Sequence, residues 1–402
     1  MIYKSKLIYL LLAIGLVLSA CGQNEQGSSE GEESEKETTN SNENKEASDK
    51  ASSETEEGAN SEEEDAGFVE AYKQGKEELA KAEEDKEVDY QKVIKVYNNN
   101  LKSLVEKRDS SIDQQITTAL EAGKNGELDG AIVKQIFDKL SQKVFYLTIK
   151  HEFQEINENW GNTEEVNAEI AEAKEFYQVL EGTVEKRDAA YETSMVDQIQ
   201  AGFTEIEKAV ENDDQLAFQL GKQVVDKTLM KTFYLAAGAM PHGYATKAAK
   251  EAEEDPAHAK VEQAEGWAFY QSISSYLTEY AKEDAAIIEE NFNLETDVKK
   301  LDPEAVNKAF VRGFSKVALH EYEESEENWG KDKSVITALE GALFIDMISR
   351  DIKRMQGEDM ANTLNEQAQT YLDAVKADEK EKAMDVLEKI EGTLNSINEK
   401  TK

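Results

Sequence analysis

Residues 132–161 read IVKQIFDKLSQKVFYLTIKHEFQEINENWG, and this stretch decides the fold class. Its apolar side chains recur every three or four residues, which is the period of an α-helix with one buried face. The stripe contains Ile132, Val133, Ile136, Phe137, Leu140, Val144, Leu147 and finally His151. Gly161 follows at the place where a glycine ends a helix most easily. The stretch therefore predicts one long amphipathic helix that ends in Asn-Trp-Gly.

The last part of this helix occurs twice in the chain. The segment from Phe145 to Gly161 has a counterpart from Phe314 to Gly330, with the same Phe-to-His, His-to-Glu and His-to-Trp spacings. Trp160 and Trp329 are expected to anchor the helix ends by packing. The duplication indicates that the chain is built from repeated units.

The whole body shows this repetition. Three similar segments open the units: VEKRD at 105–109, VEKRDAA at 184–190 and YAKEDAA at 280–286. Each leads through a polar turn into a long helix, predicted over 131–158, 215–240 and 303–328, and then into a third helix that runs back. With 3 prolines in 402 residues and no alternating apolar runs, the sequence predicts an all-α fold. We expect repeated three-helix units, followed by a degenerate fourth piece, to pack as one large helical domain of eight to eleven helices over residues 67–402.

The N-terminus resembles a bacterial lipoprotein signal. Lys4 and Lys6 precede an apolar run over 7–18, which is too short to cross a bilayer. The run ends in LSACG at 18–22, which looks like a lipobox. We therefore expect a signal peptide over 1–20 and a lipidated Cys21 that holds the protein to the extracytoplasmic face of the cell membrane. An ordinary signal peptide with a chance cysteine is the alternative.

Residues 21–66 are expected to be the lipidated cysteine followed by a disordered acidic spacer. The spacer has no aliphatic residue larger than alanine and no aromatic one, so it cannot bury enough apolar area to offset its ordering entropy. The whole chain carries a formal net charge of −39, which excludes nucleic acid as a general partner. Cys21 is the only cysteine, so the sequence predicts neither a disulfide nor a thiolate metal site.

The duplicated helix end suggests a metal site. A histidine and the glutamate four residues later share one face of a helix, and imidazole with carboxylate is a plausible ligand set for a transition metal. Glutamates at equivalent positions of the third helix should come back to the level of these histidines. The candidate ligands are His151, Glu155 and Glu172 in unit one, Glu265 in unit two, and His320, Glu324 and Glu340 in unit three. In unit two, Ala239 stands at the histidine position. The alternative is that the two core-facing histidines are structural.

Enzyme signatures are missing from the sequence. His-Glu-x-x-His, which zinc proteases carry, does not occur, and the order His-x-x-x-Glu differs from the Glu-x-x-His of carboxylate-bridged di-iron bundles. No Ser-His-Asp order or glycine-rich phosphate loop stands out. We therefore expect no catalytic function.

The lipobox, the acidic spacer and the repeated His-Glu and Glu-Gly elements resemble bacterial lipoproteins related to the algal iron-assimilation (FEA) proteins. The resemblance covers most of residues 70–350, on the motifs FYL at 145–147, His151-Glu152, His320-Glu321, EGWAFY at 265–270 and Glu340-Gly341. It implies an extracytoplasmic protein that binds ferrous or ferric iron and supplies it to a high-affinity permease. The alternative is an acidic cell-envelope adaptor that binds no metal.

Overall fold

Helices account for nearly all of the chain that the structure covers. The computed structural model describes residues 57–84 and 86–402, with side chains from residue 67 onward, and this part contains no strand. The prediction of an all-α fold is confirmed. Within the same part, no helix has the length and apolar character needed to cross a bilayer. The predicted signal peptide, Cys21 and the spacer up to residue 56 lie outside the described residues.

The helices follow one another with short connections. They are α1 (Glu57–Ala80), α2 (Tyr90–Val96), α3 (Lys102–Arg108), α4 (Ser110–Lys124), α5 (Gly130–Glu158), α6 (Thr163–Tyr191), α7 (Met195–Glu211), α8 (Gln215–Ala237), α9 (Tyr244–Glu251), α10 (Pro256–Gln271), α11 (Ser274–Tyr280), α12 (Lys282–Phe292), α13 (Pro303–Glu327), α14 (Asp332–Gln356), α15 (Glu358–Lys376) and α16 (Lys380–Lys400). A π-helical turn at Tyr97–Leu101 joins α2 to α3. Their number over the described residues exceeds the expected eight to eleven, because the opening segments of units one and three break into short helices.

Helix α1 begins at Glu57, inside the segment for which the sequence predicts the spacer. Alanine and glutamate are good helix formers, and a helix that is already nucleated by packed residues can extend through them at little cost. Helix α1 therefore overlaps the last residues of the predicted spacer over 21–66, and the first buried side chain in the described part of the chain, Val69, lies inside the helical domain predicted over 67–402.

The three long helices start and stop close to where the sequence predicts. Asp129, Asp214 and Asp302 each accept a hydrogen bond from a backbone N–H in the first turn, at 2.8–3.1 Å, and such a cap stabilises a helix by about 1 kcal/mol. Helix α8 ends at Ala237 rather than at the predicted Met240, because Gly238 is its C-cap and Pro241 cannot continue a helix.

Equivalent helices of the three units pack in the same way. In each unit one phenylalanine of the long helix meets one phenylalanine of the third helix, with ring centroids 5.6–6.2 Å apart. The pairs are Phe145–Phe176, Phe233–Phe269 and Phe314–Phe344. Helix α8 lies at the centre and packs against α7, α10 and α14. The repeated three-helix organisation is therefore present in the packing as well as in the sequence.

The Asn-Trp-Gly turns anchor each unit to a later turn. Trp160 donates from Nε1 to Asp213 and Trp329 donates to Asp378, each at 2.8 Å. Both aspartates have φ of 55° and lie in the tight turns before α8 and α16, respectively. The matching contact at Asp378 identifies α15 and α16 as the degenerate fourth piece. Gly161 and Gly330 have φ of 98° and 79°, which favours glycine at these positions.

Candidate metal centre

The two predicted histidines lie at the border of the core rather than inside it. The side chain of His151 is 38% exposed, with Nε2 3.5 Å from Oε1 of Glu155. That of His320 is 35% exposed, with Nε2 3.9 Å from Oε1 of Glu324, and its ring stacks on Tyr280 at 4.5 Å. The prediction that these histidines face the core is wrong, because a seven-residue repeat drifts by roughly 20° per heptad around an α-helix. At the end of the helix, the residue after each histidine is the buried one.

Those buried residues are glutamates. Glu152 is 4% exposed and Glu321 is 8% exposed. In unit one, Glu152 on α5 faces Glu169 and Glu172 on α6, and one ligand atom from each lies within 4.8 Å of the others. We call Glu152, Glu169 and Glu172 the three-carboxylate cluster. Metal–oxygen bonds of about 2 Å place two ligands of one ion about 3–4 Å apart, so the cluster needs only small adjustments to hold an ion.

The electrostatics of the three-carboxylate cluster show a shortage of positive charge. Burial raises the pKa of Glu152 to about 10, helped by its hydrogen bond to Glu169 and by the charges of Glu169 and Glu172. Burial also raises the pKa of Glu169. Like charges at close range and desolvation both disfavour the ionised form. At pH 7, Glu152 therefore holds its proton and donates a hydrogen bond to the carboxylate of Glu169.

A cation adjoins the cluster. Arg108, at the end of α3, places Nη2 3.3 Å from Oε1 of Glu152 and donates from Nε to Thr148 at 3.3 Å. Its charge lowers the pKa of Glu152, but less than burial and the two other carboxylates raise it. Three carboxyl groups and one guanidinium leave the cluster short of positive charge.

The predicted ligands His151 and Glu155 border this cluster. The charge of Glu155 contributes to the raised pKa of Glu169, and His151 is beside Glu155. The pKa of His151 is lowered by partial burial and by the charge of Arg108, which keeps the imidazole neutral and able to bind a metal. Of the ligands predicted in unit one, Glu172 therefore belongs to the three-carboxylate cluster, Glu155 acts on it through its charge, and His151 contacts Glu155. Glu152 and Glu169, which the sequence pattern did not indicate, complete the cluster.

Unit three is different because lysines neutralise its glutamates. Lys333 Nζ lies 2.7 Å from Oε2 of Glu324, and Lys227 Nζ lies 3.0 Å from Oε1 of Glu340. Thr337 stands three residues before Glu340, at the position that Glu169 has before Glu172. Burial and the charge of Glu340 raise the pKa of Glu321 to about 8. The surroundings of the two histidines are therefore alike in sequence, but those of His320 contain more positive charge.

Glu265 and Glu340 have partners other than histidine. Lys139 Nζ lies 3.2 Å from Glu265 and 2.8 Å from Asp138. In the same way, Lys227 binds Glu340 and lies 2.7 Å from Asp226. Tyr72 and Tyr146 complete these buried Tyr–Asp–Lys–Glu chains by donating from their hydroxyls to Asp138 and Asp226, respectively. Both glutamates thus serve to neutralise buried lysines, each supplied by the preceding unit.

A signal for the missed residues does exist in the sequence. Glu152 directly follows His151, and Glu169 precedes Glu172 by three residues, so Glu169 lies on the same face of α6 as Glu172.

Comparison of the chain with protein-family models, with curated proteins and with solved structures finds no match.

Proposed function

We propose that the protein is an extracytoplasmic iron-binding lipoprotein, which captures iron at the three-carboxylate cluster and passes it to a membrane permease. One observation carries the metal-binding part: three carboxyl groups converge within 4.8 Å, and one of them is buried with a pKa of about 10. A cation would replace the shared proton and relieve the repulsion between the carboxylates. The resemblance to the FEA-related lipoproteins supports iron as the cargo.

The ligand chemistry also favours iron or manganese. The cluster offers oxygen donors, and the chain has no thiolate to add to them in its described part because Cys21 is the only cysteine. Hard oxygen ligands suit iron and manganese better than copper(I) or a structural zinc. Glu169 and Glu172 are only half buried, so an ion bound here can be exchanged with a partner without unfolding of the body.

Iron binding can be tested on the unlipidated Cys21→Ser protein, purified without a histidine tag. Anaerobic calorimetry should show that this protein, without any further substitution, binds ferrous iron or Mn²⁺. Glu169→Gln, which keeps the shape of the side chain, should weaken this binding at least 10-fold. Glu164→Gln, on the exposed face of the same helix, is the matched control and should change little. Equal affinities for all three proteins would overturn the proposed site.

A second candidate function, that of a metal-free adaptor, rests on a groove. It has a volume of about 750 Å³ and is lined by α1, α6 and α7, including Lys73, Tyr177 and Phe203. The buried hydroxyl of Tyr177 makes no hydrogen bond within the described part of the chain, so a bound segment of another protein could supply a partner. This adaptor function predicts that wild type and Glu169→Gln support growth equally in iron-poor medium, whereas the iron-binding function predicts a defect in the variant.

A further inference from the structure

A second group of ligand-type side chains lies where α9 meets α10. One ligand atom each from Glu251, His258 and Glu262 lies within 4.8 Å of the others. Nδ1 of His258 is hydrogen-bonded to Oε2 of Glu251. The side chain of Glu262 is 14% exposed, and its Oε2 is buried without a hydrogen-bond partner among the described residues. A buried carboxylate oxygen that accepts no hydrogen bond is costly, and a bound cation would satisfy it.

The local backbone fixes this geometry. Glu251 is the last residue of α9, and its carbonyl accepts a hydrogen bond from the N–H of Asp255 at 2.8 Å. Asp255 then caps α10 by accepting from the N–H of His258 at 3.1 Å, with Pro256 in the first turn. Glu262 follows His258 by four residues and shares its helix face. The three ligands therefore come from the end of α9 and the first two turns of α10 rather than from a long loop.

The group reproduces the His-x-x-x-Glu spacing on a different helix of unit two. His258 and Glu262 have the spacing of His151 and Glu155, but they lie on the third helix of their unit. Glu262 lies three residues before Glu265, as Glu169 lies three residues before Glu172. Unit two has alanine at the predicted histidine position and carries this imidazole on its third helix instead.

We propose that Glu251, His258 and Glu262 form a second metal site, which binds a divalent transition ion through one nitrogen and two oxygens. This donor set differs from that of the oxygen-dominated three-carboxylate cluster, and the proposal does not depend on the proposed iron function. Mixed imidazole and carboxylate ligands suit Zn²⁺ and Co²⁺, and three protein ligands leave positions for water.

Lys247 is the cation that a metal ion would have to replace. Its Nζ lies 3.9 Å from Oε2 of Glu262, outside hydrogen-bond distance, and 4.1 Å from the centre of the Tyr244 ring. The lysine side chain is 38% exposed, so it can turn into solvent when an ion binds. His258 is 55% exposed, and a histidine ring so placed can rotate by the small amount that coordination requires.

The site can be tested with Co²⁺ on the unlipidated Cys21→Ser protein by proton NMR. A bound Co²⁺ shifts the ring N–H signal of a coordinating histidine far outside the normal range, and a carboxylate-only site gives no such signal. We expect one shifted imidazole signal that is absent in His258→Ala and retained in His320→Ala and Glu169→Gln. Zn²⁺ calorimetry should show at least a 10-fold loss of affinity in Glu262→Gln.

Two results would overturn the proposal. One is that wild type shows no shifted imidazole signal at saturating Co²⁺. The other is that Glu262→Gln binds Zn²⁺ as wild type does, which would mean that His258 binds ions as an isolated surface histidine. Circular dichroism melts of both variants establish that they are folded; His258 is exposed and Glu262→Gln keeps the side-chain shape, so the readouts remain interpretable. The retained signal in Glu169→Gln separates this site from the proposed iron site.

Discussion

Replacing Glu152 by glutamine should uncouple metal binding from pH. In the metal-free protein the pKa of Glu152 is raised to about 10, so the side chain is almost fully protonated at pH 7.5. A metal ion binds the carboxylate, and removal of the proton at pH 7.5 costs about 3 kcal/mol, since each pH unit below the pKa costs about 1.4 kcal/mol. The metal affinity of wild type should therefore rise about 10-fold per pH unit, or about 100-fold between pH 6.5 and 8.5, with about one proton released per ion.

The amide of Glu152→Gln resembles the protonated acid, because it can donate to Glu169 and accept from Arg108. The variant should bind weakly and with little pH dependence over the same range. The pKa of His151 is lowered by partial burial and by the charge of Arg108, so most of its titration lies below the range of pH 6.5–8.5. Calorimetry with Mn²⁺ in buffers of different ionisation enthalpy measures both affinity and proton release. A wild-type affinity that does not change with pH, or a slope that persists in Glu152→Gln, would refute this reasoning.

The same carboxyl group should affect the stability of the metal-free protein. Its pKa in the folded state is above the ordinary value of 4.5, so its contribution to stability is fully present below pH 4.5 and is lost as the pH rises towards 10. The melting temperature of wild type should therefore fall relative to that of Glu152→Gln between pH 5 and pH 9. A constant difference between the two proteins over this range would contradict the assignment of the proton to Glu152.

Two further predictions concern the anchor and the buried ion pairs. Cys21→Ser should release the protein from membranes or leave its precursor unprocessed, as fractionation and mass spectrometry would show; a variant that stays membrane-bound and normally processed would exclude lipidation. Glu340→Gln leaves the 2% exposed Lys227 with Asp226 as its remaining carboxylate within 4 Å among the described residues, and the free energy of unfolding should fall by about 2 kcal/mol in urea titrations. Glu164→Gln should stay within about 0.5 kcal/mol of wild type, and equal stability of both variants would show that the pair is not needed.

The sequence predicts the fold well because its strongest signals are local. The long helices α5, α8 and α13 are delimited by capping aspartates and by Gly161 and Gly330, and these residues act within one turn of their own position. The short helices of the opening segments were not predicted. Helices α2 and α4 do begin at capping aspartates, Asp89 and Asp109. The helices that begin after Leu101 and Ala281 have no side-chain cap, and their boundaries depend on packing against α5 and α13.

The candidate site was only partly predictable, for two physical reasons. Helical drift over 20 residues moves the buried face from His151 to Glu152, which a seven-residue pattern does not reveal. Partner choice between helices is also non-local. The sequence pairs Glu265 and Glu340 with histidines, whereas the structure pairs them with Lys139 and Lys227 of the preceding units, because a buried lysine needs a carboxylate more than a half-exposed histidine does.

The buried Tyr–Asp–Lys–Glu chains fix the order in which neighbouring units pack. Each lysine is neutralised by a glutamate from the third helix of the following unit, at 3.2 Å for Lys139 and Glu265 and at 3.0 Å for Lys227 and Glu340. A third helix placed against a different unit would carry its glutamate away and leave a buried lysine with one carboxylate fewer, which is strongly unfavourable. The charged contacts therefore give the array a direction: the lysine always comes from the earlier unit and the glutamate from the later one.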